Sequence, residues 1–253
     1  MNEDVLGYHV STEGKVACVT RMVDAIRRGG HVWAACMNPH SYVVASDRQE
    51  FSDALKGADL MVPDGIGIVL ASRWCGGDIH ERVTGFDLFS GLHDALEASG
   101  GGRIFFLGST AAVLSEIDTR MRRDWPGLEV VGTYSPPFAA QFSESDSAAM
   151  VAAVNAARPD VLWVGMTAPK QEEWLHAHWP LIDARFAGAI GAVFDFYAGR
   201  INRSHWIFQR LGFEWLPRLL QEPRRLWRRT FVSAPRFLWA VWRIGRPSRR
   251  RRP

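Results

Sequence analysis

The sequence predicts an α/β fold, a parallel sheet with helices on both faces, extended by a C-terminal helical appendage. Three observations carry this expectation. Short apolar runs alternate with segments of helical periodicity over residues 1–199. The runs are continuously apolar, as in strands covered on both sides, and the helices between them supply the crossovers that parallel strands require. Residues 200–253 then change character: they hold 15 of the 30 Lys and Arg side chains and only two acids, Glu214 and Glu222.

The elements follow in order. Residues 14–28 carry apolar positions at helical spacing and stop at Gly29-Gly30. HVWAACMN (31–38) reads as a buried strand, 47–56 as a helix and ADLMVP (58–63) as a second strand ending in Pro63-Asp64-Gly65. IGIVLASRW and 84–99 read as helices. Strands at 103–109, 128–134 and 160–166 are each followed by a helical segment, and 185–196 supplies one more strand and a glycine break.

Composition narrows the class. The chain has 253 residues, 47% hydrophobic and 23% charged, as in a globular protein with a sizeable core. Cys18, Cys36 and Cys75 form no CxxC pair, so neither zinc nor redox chemistry is expected, and a reducing compartment is. The acidic N-terminus does not read as a signal peptide, and no apolar stretch reaches the roughly 18 residues of a membrane span. The eight histidines show no HExxH or similar ligand spacing, and there is no GxSxG elbow.

In a parallel sheet of this kind ligands bind outside the carboxyl ends of the strands. The polar motifs MNPHS, PDG, GST, TYSPP, GMTAPKQE and FDF all fall there. Gly108 in GST opens a strand-to-helix turn whose N–H groups suit a phosphate, though a tight turn alone would use the same residues. Asp64 in PDG fits either a common Asp-Gly turn or a general base beside a reacting hydroxyl. Lys170 and Gln171 lie in a first helical turn, where a lysine is commonly solvated; the Gln171 amide both donates and accepts, which suits sugar hydroxyls. Asp195 reads equally as a turn residue or a ligand contact.

The segments PDGIGI, RVTGFDLF, GMTAPKQEEW, GAVFDFYAG and FEWLPRLLQEPRRLWRR, in this order, resemble the WecG/TagA/CpsF family of bacterial glycosyltransferases, glycosyltransferase family 26. The similarity runs from about Leu6 to about Trp239. It implies a Rossmann-like domain over 1–199 with an appendage over 200–253. It also implies metal-free, inverting transfer of N-acetylmannosamine, its uronic acid or glucose from a UDP-sugar to an undecaprenyl-diphosphate-linked sugar. The products would be cell-surface polysaccharides such as teichoic acid linkage units or exopolysaccharide. No cofactor is implied; self-association in solution is. By position, Asp64 matches the family's base, and Asn38, Arg82 and Gln171 match its acceptor pocket. Tyr134 and Asp195 match residues near the nucleotide, and Arg218, Arg225 and Arg228 match arginines that reach the lipid diphosphate. Cys36 departs from the hydroxyl residue of some members.

The appendage is net +13 against −10 for the remainder. On a continuous helix Arg218, Arg225 and Arg228 would fall within roughly 80° of one another, unless Pro223 breaks it. Guanidinium forks suit a diphosphate. Trp215, Trp227, Trp239 and Trp242, with apolar neighbours including Phe231, Phe237 and Leu238, suit a headgroup region, so the tail reads as an interfacial segment that binds anionic lipid, and the resemblance implies a peripheral place on the inner face of the cytoplasmic membrane. Two other readings compete: aromatics packed on the body with solvated arginines, and a non-catalytic nucleotide- or nucleic-acid-binding protein, for which no nucleic-acid module is present.

Overall fold

The computed structural model describes residues 1–200 and 228–244, the latter with side chains over 231–243. A hairpin of β1 (Asn2–Val5) and β2 (Tyr8–Ser11) precedes α1 (Lys15–Arg27) and β3 (Val32–Met37). Next come α2 (Pro39–Asp47), α3 (Gln49–Lys56), β4 (Leu60–Pro63), α4 (Ile66–Cys75) and α5 (Gly85–Ala98). The regular alternation follows: β5 (Gly102–Gly108), α6 (Ala111–Asp124), β6 (Leu128–Tyr134), α7 (Glu144–Ala157), β7 (Val161–Gly165) and α8 (Lys170–His178). A short 3-10 turn, Trp179–Leu181, leads to β8 (Phe186–Ala189) and α9 (Val193–Tyr197). Beyond the undescribed stretch, a π-helical turn, Arg228–Ser233, runs into α10 (Ala234–Ile244).

The six strands β3 to β8 form one parallel sheet in the order β4-β3-β8-β7-β5-β6. Every residue of β4, β7 and β8 is buried, which is why these runs are apolar without alternation. One face packs α1, α5, α6 and α9 around Met22, Phe89, Phe106 and Trp163. The other packs α2, α3, α7 and α8 with the hairpin, around Phe51, Leu55, Leu162 and Leu175. β2 packs against the edge strand β4, so that edge is covered.

Helix starts are encoded locally. Asn38, Thr84 and Ser143 each form a reciprocal capping box with the residue three positions on: Ser41, Asp87 and Asp146. α1 buries Cys18, Val19, Met22, Val23 and Ile26, one stripe at helical spacing.

The expected elements are present, with three additions. The hairpin of residues 2–11 and the helix α2 were not anticipated from the sequence, nor was α9, which occupies the end of the segment 185–196 read as a strand and a glycine break. Within the appendage, Phe237 departs from the expected headgroup role: it is buried, edge-on to Tyr42 of α2 with ring centroids 5.5 Å apart. Ser233 Oγ bonds His40 Nδ1 at 2.8 Å, and Arg236 donates to both Asp47 carboxylate oxygens at 2.6 and 2.7 Å. α10 is therefore docked on α2 and α4. Among the described residues no helix is long and apolar enough to cross a membrane.

Candidate active site

A cavity of about 710 Å³ opens at the carboxyl ends of the strands, and segments following all six line it. That volume suits a ligand of nucleotide-sugar size. Sheet register decides which side chains meet there. Met37 pairs with Pro63, so the next residues, Asn38 and Asp64, emerge side by side. The Asp64 N–H donates to Met37 O at 2.7 Å, which fixes the turn to the sheet. Gly65 adopts φ +128°, a region open essentially to glycine, and turns the chain directly into α4.

Asn38 uses its side-chain oxygen as the cap of α2, accepting from His40 N–H and Ser41 N–H at 3.0 Å each. Its amide N–H₂ group remains to serve the cavity that it lines. On the opposite wall, Gly108 has φ +122°, and a β-carbon there would lie 2.5 Å from Gly165 O. Glycine is thus required for β5 to turn beside β7. Ser109 and Thr110 follow into the cavity, Thr110 capping α6, and Ser135 Oγ donates to Ser109 O at 2.8 Å.

The first turn of α8 forms the polar floor. Gln171 is only 4% exposed. Its Oε1 accepts from Met166 N–H at 3.2 Å, and its Nε2 donates to Glu172 Oε1 at 2.8 Å. Glu172 is 3% exposed, and its Oε2 has no hydrogen-bond partner among the described residues. Burial pushes the Glu172 carboxyl up to about 7. Burial also pushes the Cys36 thiol well above its ordinary value, and the carboxylates of Asp64, Glu172 and Asp87 add to that shift. Cys36 therefore stays a thiol and is no thiolate nucleophile. Lys170 Nζ donates to Ala139 O at 2.8 Å and lies 4.5 Å from the Phe142 ring centroid, and burial lowers its pKa. It fastens the loop after β6 over the site.

Of the residues singled out from the sequence, Asn38, Asp64, Lys170, Gln171 and Asp195 line the one cavity. Gly108 and Tyr134 each stand one residue before a lining residue, Ser109 and Ser135, and Arg82 two before Thr84. Arg218 and Arg225 lie outside the described residues, as does the side chain of Arg228. Glu172 was not anticipated, because a glutamate in a first helical turn reads as solvated. Among the described residues no three His, Cys, Asp or Glu side chains converge as a metal site requires.

A strand-end cavity on a parallel sheet, ringed by helix starts and one turn carboxylate, has the form of a group-transfer site. The model of the glycosyl transferase WecG/TagA/CpsF family matches residues 3–251, and the chain belongs to that family of glycosyltransferases. Among characterised relatives, the chain is 33% identical over 211 residues to a Bacillus spizizenii protein, covering 83% of this chain and 79% of that one. It is 27% identical to a Bacillus subtilis protein over 81% of this chain and 77% of that one. It is 25% identical to a Staphylococcus aureus protein over 83% and 79%. All three are named N-acetylglucosaminyldiphosphoundecaprenol N-acetyl-β-D-mannosaminyltransferase.

Proposed function

We propose that this glycosyltransferase moves N-acetylmannosamine, or a closely related hexose, from a UDP-sugar to a sugar carried on undecaprenyl diphosphate. The placement of Asp64 beside Asn38, at the head of a cavity framed by helix starts, carries the reading. The names of the relatives supply the substrate class.

Asp64 acts as the base. The acceptor hydroxyl oxygen attacks the anomeric carbon from the face opposite UDP, and its proton passes to the Asp64 carboxylate. The bond from that carbon to the UDP oxygen breaks and UDP departs with the electron pair, so one displacement inverts the centre. Asn38 and Gln171 orient sugar hydroxyls, while Lys170, Asp195 and the turns after Gly108 and Tyr134 hold the nucleotide end. Negative charge grows on the leaving diphosphate. The start of α6 at Thr110 presents N–H groups to it, and Arg218, Arg225 and Arg228 would supply cationic charge to the acceptor diphosphate. No metal or cofactor takes part in this scheme. The enzyme works at the inner face of the cytoplasmic membrane as a peripheral protein.

The test is a transfer assay with a panel of UDP-sugars and a short-chain lipid-diphosphate-GlcNAc acceptor, read by mass spectrometry. A gain of one sugar, absent for Asp64→Asn, is expected and names the donor. No product with any donor, on GlcNAc- or glucose-bearing acceptors, would overturn the reading.

A further inference from the structure

Twelve large apolar side chains are exposed among the described residues, and eight of them sit on α4 or between Phe231 and Trp242. That concentration is not the scatter expected of an ordinary surface. On α4 they are Ile66, Leu70 and Trp74, spaced by four and four, which makes one stripe. The opposite face of α4, with Ile68, Val69, Ala71 and Ser72, packs into the body, so the exposed stripe is not an artefact of a loosely attached helix. α10 buries Phe237 and Val241 against the body and leaves Leu238, Trp239 and Trp242 outside. The two helices touch, and Gly67 faces Phe237 across the seam.

We propose that α4 and α10 together form a bilayer-docking face, in which the folded body itself, through Ile66, Leu70 and Trp74, enters the headgroup region of an anionic membrane. This deepens the proposed function and rests on it for the identity of the lipid-borne acceptor. Two features select a bilayer over other partners. First, charge: neither α4 nor α10 contains an acid, α4 carries Arg73, α10 carries Arg243 besides Arg236, whose charge Asp47 neutralises, and Arg246 and Arg249–Arg252 follow in sequence, whereas residues 1–199 are net acidic. Second, composition: tryptophans flanked by arginine, with Arg243 stacked 4.6 Å from the Trp239 ring centroid, suit an interface that is apolar on one side and wet on the other. The stripe also begins two residues after Asp64 and extends roughly 12 Å along α4. A face so placed brings the mouth of the cavity to the membrane surface, where a lipid diphosphate emerges.

The test uses the full chain and vesicles of equal parts phosphatidylglycerol and phosphatidylcholine. Leu70→Ser with Trp74→Ser should lower the vesicle partition coefficient at least about tenfold, with an unchanged melting temperature without vesicles. In the parent, a polarity-sensitive maleimide dye on Cys75, the exposed cysteine next to Trp74, should shift to the blue on adding these vesicles and far less with phosphatidylcholine alone. Unchanged partitioning of the double variant together with no dye shift would overturn the proposal. So would a double variant that loses self-association in light scattering while binding vesicles normally, which would give the stripe to a second copy of the chain. Parent turnover of a water-soluble short-chain acceptor is measured in parallel, so failure of the transferase reading is visible separately from failure to dock.

Discussion

Gln171 and Glu172 are consecutive in α8, and the Gln171 amide is held between them and the backbone: Met166 N–H on its oxygen, Glu172 Oε1 on its nitrogen. The carboxyl thus fixes which way the amide points, leaving one Gln171 N–H for substrate. Glu172→Ala should raise KM for the sugar substrates roughly tenfold or more, with Glu172→Gln closer to the parent. Equal effects of the two substitutions would show that the carboxyl does not orient Gln171.

The same carboxyl makes stability depend on pH. Glu172 titrates at about 7 in the fold against 4.5 ordinarily. Between those values the folded chain holds a proton that the unfolded chain has released. Stability therefore falls as pH rises, by about 1.4 kcal/mol per unit, and levels off above 7. His93 has the opposite sign. It is fully buried, accepts from Trp163 Nε1 at 2.9 Å and is held down to about 3 from 6.5 by burial. Its contribution is lost as pH falls below 6.5, because the unfolded chain then takes up a proton that the fold refuses. From 4.5 to 6.5 the two slopes oppose. Thermal melts of Glu172→Gln minus parent should gain toward pH 7 and show no difference of slope below pH 4.5; His93→Gln should gain toward acid.

Asp64→Asn should cut kcat by roughly 10²–10⁴ while leaving the melting temperature near that of the parent. Turnover within a few-fold of the parent, measured in the transfer assay, would remove Asp64 from the role of base.

Gly108→Ala forces a β-carbon within 2.5 Å of Gly165 O at a backbone angle that disfavours it, so β5 and β7 must part at the cavity. The expected cost is about 1–3 kcal/mol in chemical unfolding, with weaker UDP binding by calorimetry. A variant as stable as the parent would show that the turn relaxes freely.

α10 is anchored by packing more than by charge. Phe237→Ala removes a buried ring seated on Tyr42 and should cost about 3–5 kcal/mol of docking, visible as faster hydrogen exchange through 234–244. Arg236→Ala breaks a surface pair with Asp47 and should leave exchange nearly unchanged.

Strands and most helices were legible because buried parallel strands must be continuously apolar and the helices between them carry Gly and capping signals. The hairpin was not, since its turn places Leu6 and Gly7 at φ +57° and +90°, and leucine is no turn former. α2 was hidden for another reason: Asn38-Pro39-His40-Ser41 read as a loop motif, although proline at the first position and the cap pair were its start signal. In the site, Asp64 and Asn38 were legible as strand-end residues. Glu172 was not, because its burial comes from packing of α8 on the sheet, which no local pattern announces.

Among the described residues, the last strand in sequence is the one in the middle of the sheet. β8 lies between β3 and β7, and joins β4-β3 on one side of the sheet to β7-β5-β6 on the other. While the chain leaves the ribosome, two half-sheets each wait with an open inner edge until Phe186–Ala189 arrives. Asp64 belongs to one half and Gln171 to the other. A nascent or prematurely ended chain therefore carries both halves of the transferase without a cavity to work in, and its two unpaired edges offer chaperones a signal that synthesis is incomplete.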